Sequence, residues 1–192
     1  LLPGPHPRPI LRENSQSGPA NHHGLRPAPP LTMSTTHLET KNLKLIPLTR
    51  EAVRAEIAQM PAEERVHLSP SWLALLEGSG DMNPWIHGFK MTLRTNGNAI
   101  GKCGFKGPPD ADAAVEIAYA VDPEHQGKGY ATEAATALTR YAFSDAGARM
   151  VRAHTLPEKN ASTRVLTKSG FQMIGEVLDP DDGPVWRWEK SI

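Results

Sequence analysis

The sequence predicts a single α/β domain of the α+β kind: a mixed, mostly antiparallel sheet of about six to seven strands flanked by helices, behind a tail without a core. Three observations carry this. Several strand-like runs precede the first long helical pattern, so the sheet is not built from repeated parallel crossovers. Thr95-Asn96-Gly97-Asn98 separates two apolar runs, and Asn-Gly accepts the positive φ of a tight hairpin turn. A strand, a long helix and another strand then follow in the second half, which is the pattern of one parallel crossover.

The elements follow in order. Residues 1–32 contain eight of the eighteen prolines, three arginines, three histidines and no Phe, Trp or Tyr, the composition of an extended tail. Met33-Ser34-Thr35 then reads as a natural start, which makes the tail an upstream extension and residues 33–192 the domain. Leu43 to Leu48 alternates in polarity as a first strand, and Thr49 is placed to cap a helix from Arg50 to Met60. Ser71 to Leu76 is a short apolar helix ended by Gly78 and Gly80. His87 to Leu93 and Ala99 to Lys106 are the two hairpin strands, and Ala113 to Val121 is the next. Ala131, Ala134, Ala135, Leu138, Tyr141 and Ala142 recur at helical spacing, with Gly147 as the stop. Met150 to Leu156 is a strand, Asn160 caps a helix over Ala161 to Ser169, and Phe171 to Val177 and Val185 to Glu189 close the sheet. No internal repeat is visible.

Composition narrows the function. The 21 basic and 21 acidic residues balance, so no global charge calls for nucleic acid or an anionic membrane as partner. No apolar run approaches the length of a membrane span, and no signal-like start is present, so the expectation is a soluble, cytoplasmic protein. The one cysteine, Cys103, has no partner for a disulfide and lies in an apolar strand, as a buried structural thiol would.

The most informative stretch runs from Val121 to Ala134, where an apolar strand ends in a turn containing Gly127 and Gly129 and a helix starts at once. Free N–H groups of a first helical turn, with the helix dipole behind them, hold phosphate well. Two nucleotide patterns fail here. A Walker A loop would need glycine at Asp122 and a hydroxyl at Gly129, and a dinucleotide fingerprint would need Gly or Ala at Thr132.

What remains, Gln126, Gly129 and Ala131 in Gln/Arg-x-x-Gly-x-Gly/Ala, resembles the acetyl-CoA pyrophosphate loop of the GCN5-related N-acetyltransferase (GNAT) superfamily. Asn160 to Phe171 resembles the Asn-x-x-Ser/Ala helix ending in Gly-Phe of its ribosomal-protein acetyltransferase (RimJ/RimL-like) branch, with Ser162 one residue earlier than some members place their small residue. The resemblance covers roughly Leu38 to Lys190. It implies an N-acetyltransferase that moves acetyl from acetyl-CoA to a primary amine, a protein N-terminus or a small molecule, by direct attack and without a metal. It also implies that Val121, Gln126, Gly127, Lys128, Gly129, Tyr130, Ala131, Asn160 and Ser162 contact the coenzyme. Lys128 reads equally as a solvated loop lysine, and Asn160 as a helix cap first.

For the base, Glu116 is the lone carboxylate on a strand face otherwise made of Ala114, Ala118 and Ala120, and many superfamily members carry a glutamate there. Apolar walls would raise its pKa and suit it to take a proton near neutral pH; pairing with a basic side chain is the structural alternative. No acid is evident. Many relatives place a tyrosine in the last helix, where this chain has Leu166, leaving Ser162 or water. His154 reads as a structural histidine beside the cleft, Glu133 as electrostatic support for the helix start, and Trp72, Trp85, Trp186 and Trp188 as either acceptor-side or core residues. The missing tyrosine keeps open an acyl-CoA sensor without turnover.

An ordered tail without a core would have to dock on its own domain or on a neighbouring subunit of a homodimer. Truncation to Met33 is then expected to change the melting temperature or the oligomeric state, read by differential scanning fluorimetry and size-exclusion chromatography; no change in either removes the docking tail.

Overall fold

The computed structural model describes residues 37–66, 68–145, 147–179 and 183–192; the proline-rich segment 1–32 lies outside them. Eight strands form one sheet in the order β1-β2-β3-β4-β5-β6-β8-β7. They are β1 Leu38–Glu39, β2 Leu43–Pro47, β3 Phe89–Leu93, β4 Ala99–Phe105, β5 Ala114–Val121, β6 Met150–Thr155, β7 Gln172–Asp179 and β8 Gly183–Ser191. Every neighbouring pair is antiparallel except β5 with β6. The eighth strand beyond expectation is β1, two residues that pair with Leu45 and Lys44 and are too short to show a period.

Helices α1 Arg50–Gln59, α2 Ala62–Arg65, α3 Pro70–Gly78, α4 Pro84–His87, α5 Tyr130–Asp145 and α6 Ala161–Lys168 surround the sheet. Local chemistry sets their ends. Thr49 accepts from the Ala52 N–H at the start of α1, and Asn160 and Thr163 form a reciprocal capping box at the start of α6. The strand expected from His87 begins two residues later, because Asn83 caps a helical turn with Pro84 in its first position and His87 ends it. His87 is buried. Its Nδ1 accepts from the Asn83 N–H at 3.1 Å and its Nε2 meets the Ser79 hydroxyl at 2.7 Å, while burial pushes its pKa down.

The small side chains of α5 let it lie close on the sheet. Ala134, Ala135, Leu138 and Ala142 are fully buried, joining Leu43, Leu45, Met91, Ile100 and Val151 in the core. Trp85, Phe105 and Tyr141 add an aromatic cluster, with the Trp85 and Phe105 rings 4.4 Å apart. No helix among the described residues is long and apolar enough to cross a membrane.

Glu133 ties the start of α5 to the other end of the sheet, more than the electrostatic support expected of it. Its carboxylate accepts from the Thr40 hydroxyl, from the Asn42 N–H at 2.6 Å and side-chain amide at 2.9 Å, and from the Leu43 N–H at 3.3 Å. Burial alone would raise its pKa, but the hydrogen bonds from Asn42, Thr40 and Leu43 outweigh this and hold it below the usual carboxylate range. A depressed folded value means stability that is present above the unfolded value and lost as pH falls through the folded one. Glu133→Gln is expected to cost about 1–3 kcal/mol at neutral pH, read by urea unfolding. The gap to the unaltered protein should close as the solution is acidified through the carboxylate range.

Candidate active site

The site is built around a gap in the sheet. β5 and β6 pair over only three residues each, Ala114 with Met150, Val115 with Val151 and Glu116 with Arg152. At the closed end Ala113 sits in the left-handed region at φ 55° and its carbonyl accepts from the Arg149 N–H at 2.7 Å. Past Glu116 the strands part. The outer edge of β5 stays paired with β4 from Ile117 to Val121, and the outer edge of β6 stays paired with β8 to Thr155. Beyond Glu116 and Arg152 each strand is thus paired on one side.

The glycine turn lies at the open end. Pro123–His125 forms a single 3-10 turn, Gln126 returns its side-chain amide to the Val121 carbonyl at 2.8 Å, and Lys128 donates to the Glu124 carbonyl at 3.0 Å. Lys128 is therefore engaged with the loop itself. Gly127 and Gly129 adopt φ 74° and 85°, where a side chain would be strained, and the space a Cβ would enter is empty at both. Among the described residues, the N–H groups from Gly127 to Thr132 have no acceptor within the protein, and the first bond of the turn runs from Glu133 to the Gly129 carbonyl. They belong to the N-terminus of a sixteen-residue helix, a position that can hold an anion by dipole and by hydrogen bonding. A groove of about 450 Å³ continues from Gly129 along α5, lined by Thr132, Thr136 and the cations of Lys41, Arg140 and Lys168.

On the other side of β5 a cleft of about 670 Å³ is lined by Glu116, Ala118, Tyr119 and Ala120, by Cys103 and Lys106, and by Trp72 and Leu75 of α3. Glu116 does face open space beside alanines, as its strand position implied, but its surroundings are not apolar. The Lys106 ammonium lies 2.7 Å and His154 Nδ1 3.0 Å from the same carboxylate oxygen. Both approach at ion-pair distance without hydrogen-bond alignment, so that Oε1 of Glu116 and Nδ1 of His154 are buried without a hydrogen-bond partner. His154 thus touches the candidate base, a contact the sequence did not reveal; its place two residues beyond Arg152 on β6 puts it on the same face as Glu116. The neighbouring charges close among themselves, Arg152 on Asp110 at 2.7 Å and on Glu189 at 3.2 Å, and Arg187 on Glu189 at 2.6 Å.

The remaining candidates separate. Of the four tryptophans only Trp72 lines the cleft, donating its indole N–H to the Ile86 carbonyl at 3.2 Å. Trp85 and Trp188 are core residues, the latter bonded to the Thr155 hydroxyl at 3.2 Å. Cys103 is buried and burial pushes its thiol up to about 12, the state of an inert structural cysteine. Asn160 spends its side chain on the Thr163 N–H at 3.1 Å, so capping is its observed role. Ser162 lies in the first turn of α6, and Tyr119 of β5 is partly buried against the core.

Comparison with known proteins agrees with this geometry. An uncharacterised N-acetyltransferase of Bacillus licheniformis is 31% identical over 91 residues, 47% of this chain and 51% of that protein. The uncharacterised N-acetyltransferase YjdG of Bacillus subtilis is 31% identical over 94 residues, 49% of this chain and 54% of that protein. The chain thus spans about half the length of the curated relatives it matches. Among solved structures, the ribosomal-protein α-N-acetyltransferase RimL in complex with coenzyme A shares the fold at a TM-score of 0.59 and 16% identity, over 82% of this chain and 98% of that one. The acetyltransferase (GNAT) domain family matches residues 32–172, and with the parted strands and glycine turn in place, the chain belongs to the GNAT acetyltransferase family.

Proposed function

We propose that this protein is an N-acetyltransferase that takes acetyl from acetyl-CoA and delivers it to a primary amine by direct attack. The observation that carries the reading is that the glycine turn and the start of α5, from Gly127 to Thr132, stand at the end of β5 where its pairing with β6 has ended. The coenzyme pyrophosphate suits the donors, its nucleotide end suits the groove with Lys41, Arg140 and Lys168, and the extended pantetheine arm suits the unpaired strand edges. The thioester then arrives at the cleft that Glu116 lines.

Glu116 is the proton acceptor in this reading. An amine must lose a proton to become or remain a nucleophile at the carbonyl, and a carboxylate on the wall of the cleft can take it directly or through water. Lys106 and His154 flank the carboxylate at ion-pair distance. Trp72 and Leu75 give the acceptor side an apolar wall, which favours an amine carried on a partly apolar body. A protein N-terminus and a small amine both satisfy that wall; a neighbour sharing the fold at a TM-score of 0.57 and 21% identity is a spermidine N-acetyltransferase chimera. A cytoplasmic setting, where acetyl-CoA and a reduced Cys103 coexist, belongs to the same proposal.

Glu116→Gln is expected to lower kcat by about 10²-fold and to remove the acidic limb of the pH profile, with coenzyme affinity unchanged; unaltered kinetics across a panel of peptide and small-molecule amines would remove Glu116 from the chemistry. Gly129→Ala places a side chain in the left-handed region and in the space offered to the phosphates. It is expected to weaken coenzyme A binding about tenfold or more by calorimetry while the melting temperature moves only a few degrees.

A further inference from the structure

Two polar atoms at the candidate base lack hydrogen-bond partners. Oε1 of Glu116 and Nδ1 of His154 stand 3.0 Å apart, and among the described residues neither finds a donor or acceptor, although both are buried. Without a proton each is an acceptor, and two acceptors in contact away from water repel. A carboxylate ready to take a proton from an amine carries none of its own, so the proton between the pair belongs to the ring. At 3.0 Å an Nδ1–H needs only a turn of the imidazole to point at Oε1, and bonds of this kind at a reaction centre tighten when the substrate arrives.

We propose that His154 is the positioning residue of Glu116: its Nδ1–H takes Oε1 and leaves Oε2 for the proton of the acceptor amine. The inference rests on the acetyl-transfer reading above. As nitrogen bonds to the acetyl carbon and the carbon–sulfur bond breaks with its electron pair on sulfur, the surplus proton of the amine moves to Oε2 and then to water, while Nδ1 keeps its own. His154 suits this task better than Lys106, which reaches the same oxygen at 2.7 Å. The Lys106 side chain is long and 47% exposed, so it fixes a partner weakly. The His154 side chain has two torsions, is 14% exposed, and stands on a strand that stays paired with β8.

The charged groups around the pair have partners of their own. In register, Arg152 of β6 stands opposite Glu116 and Arg187 of β8 opposite His154. Arg152 is held by Asp110 and Glu189, however, and Arg187 by Glu189. In the cleft, Lys102 of β4 lies on Glu56 of α1 at 2.6 Å, and His87 of α4 meets the Ser79 hydroxyl. Asp179 of β7 and the buried thiol of Cys103 line the same cleft. The Glu116 carboxylate itself is reached by Lys106 and His154.

The test separates the ring from its donor in the full-length protein. His154→Leu deletes the Nδ1–H, whereas His154→Asn keeps an amide N–H near the place of Nδ1 and does not titrate. The Leu variant is expected to lower kcat about tenfold at unchanged KM for acetyl-CoA. Its acidic limb should move up by about half to one pH unit, because a carboxylate that loses a donor holds its proton more tightly. The Asn variant should keep kcat within about threefold and leave the limb unmoved. In the Glu116→Gln background, His154→Leu should cost nothing further. A tenfold loss in the Asn variant, an unmoved limb in the Leu variant, or a loss that persists beside Glu116→Gln overturns the proposal. NMR titration of carboxyl-labelled glutamate, with Glu116→Gln to identify the signal, reads the same upward shift without turnover, and an unshifted signal in the Leu variant counts against His154. Failure of the unaltered protein to acetylate any amine would instead fault the acetyl-transfer reading, and the titration would still decide the place of His154.

Discussion

Everything that makes this domain more than a packed sheet depends on the pairing of β5 with β6 stopping after Glu116 and Arg152. A parallel pair joined by a helical crossover is ordinarily zipped along its length, since each unpaired backbone group in a sheet interior forfeits a hydrogen bond. Here the forfeited bonds are tolerated because each strand is anchored on its far side, β5 on β4 and β6 on β8. The glycine turn and the start of α5 then stand at the mouth of the gap because the crossover helix must leave from the end of β5.

That arrangement has to be rigid to be useful, and Glu133 supplies much of the rigidity. A carboxylate one turn into α5 gathers donors from Thr40, Asn42 and Leu43, residues some ninety positions away in the chain. Through it the N-terminus of α5 is pinned to the turn between β1 and β2, and the free donors of the loop keep a fixed aim. The Ala-rich inner face of α5 supports the same end by allowing close approach to the sheet.

Much of the fold was legible because its signals are local. The Asn96-Gly97 turn, the cap at Thr49, the cap at Asn160 and the alanine spacing of α5 each act through neighbours in sequence, and each element formed where those residues placed it. The departures have equally local reasons. β1 is too short for a period to register, and Asn83-Pro84 starts a helical turn that shortens β3. The loop from Gln126 to Ala131 could be read as an anion cradle for the same reason, since glycine conformation and helix ends are properties of a few consecutive residues.

By itself the sequence determined the order of the elements, the single crossover, the glycine turn before α5 and the strand on which Glu116 stands. Only the tertiary structure decided what surrounds that carboxylate. Lys106 comes from the end of β4 and His154 from β6, so an apolar alcove inferred from alternating alanines became an ionic one. It also decided that Trp72 alone of the four tryptophans reaches the cleft. Alternation along a strand tells which way a side chain points, whereas what it meets depends on strands and helices brought alongside by the crossover, and no spacing in the chain encodes that.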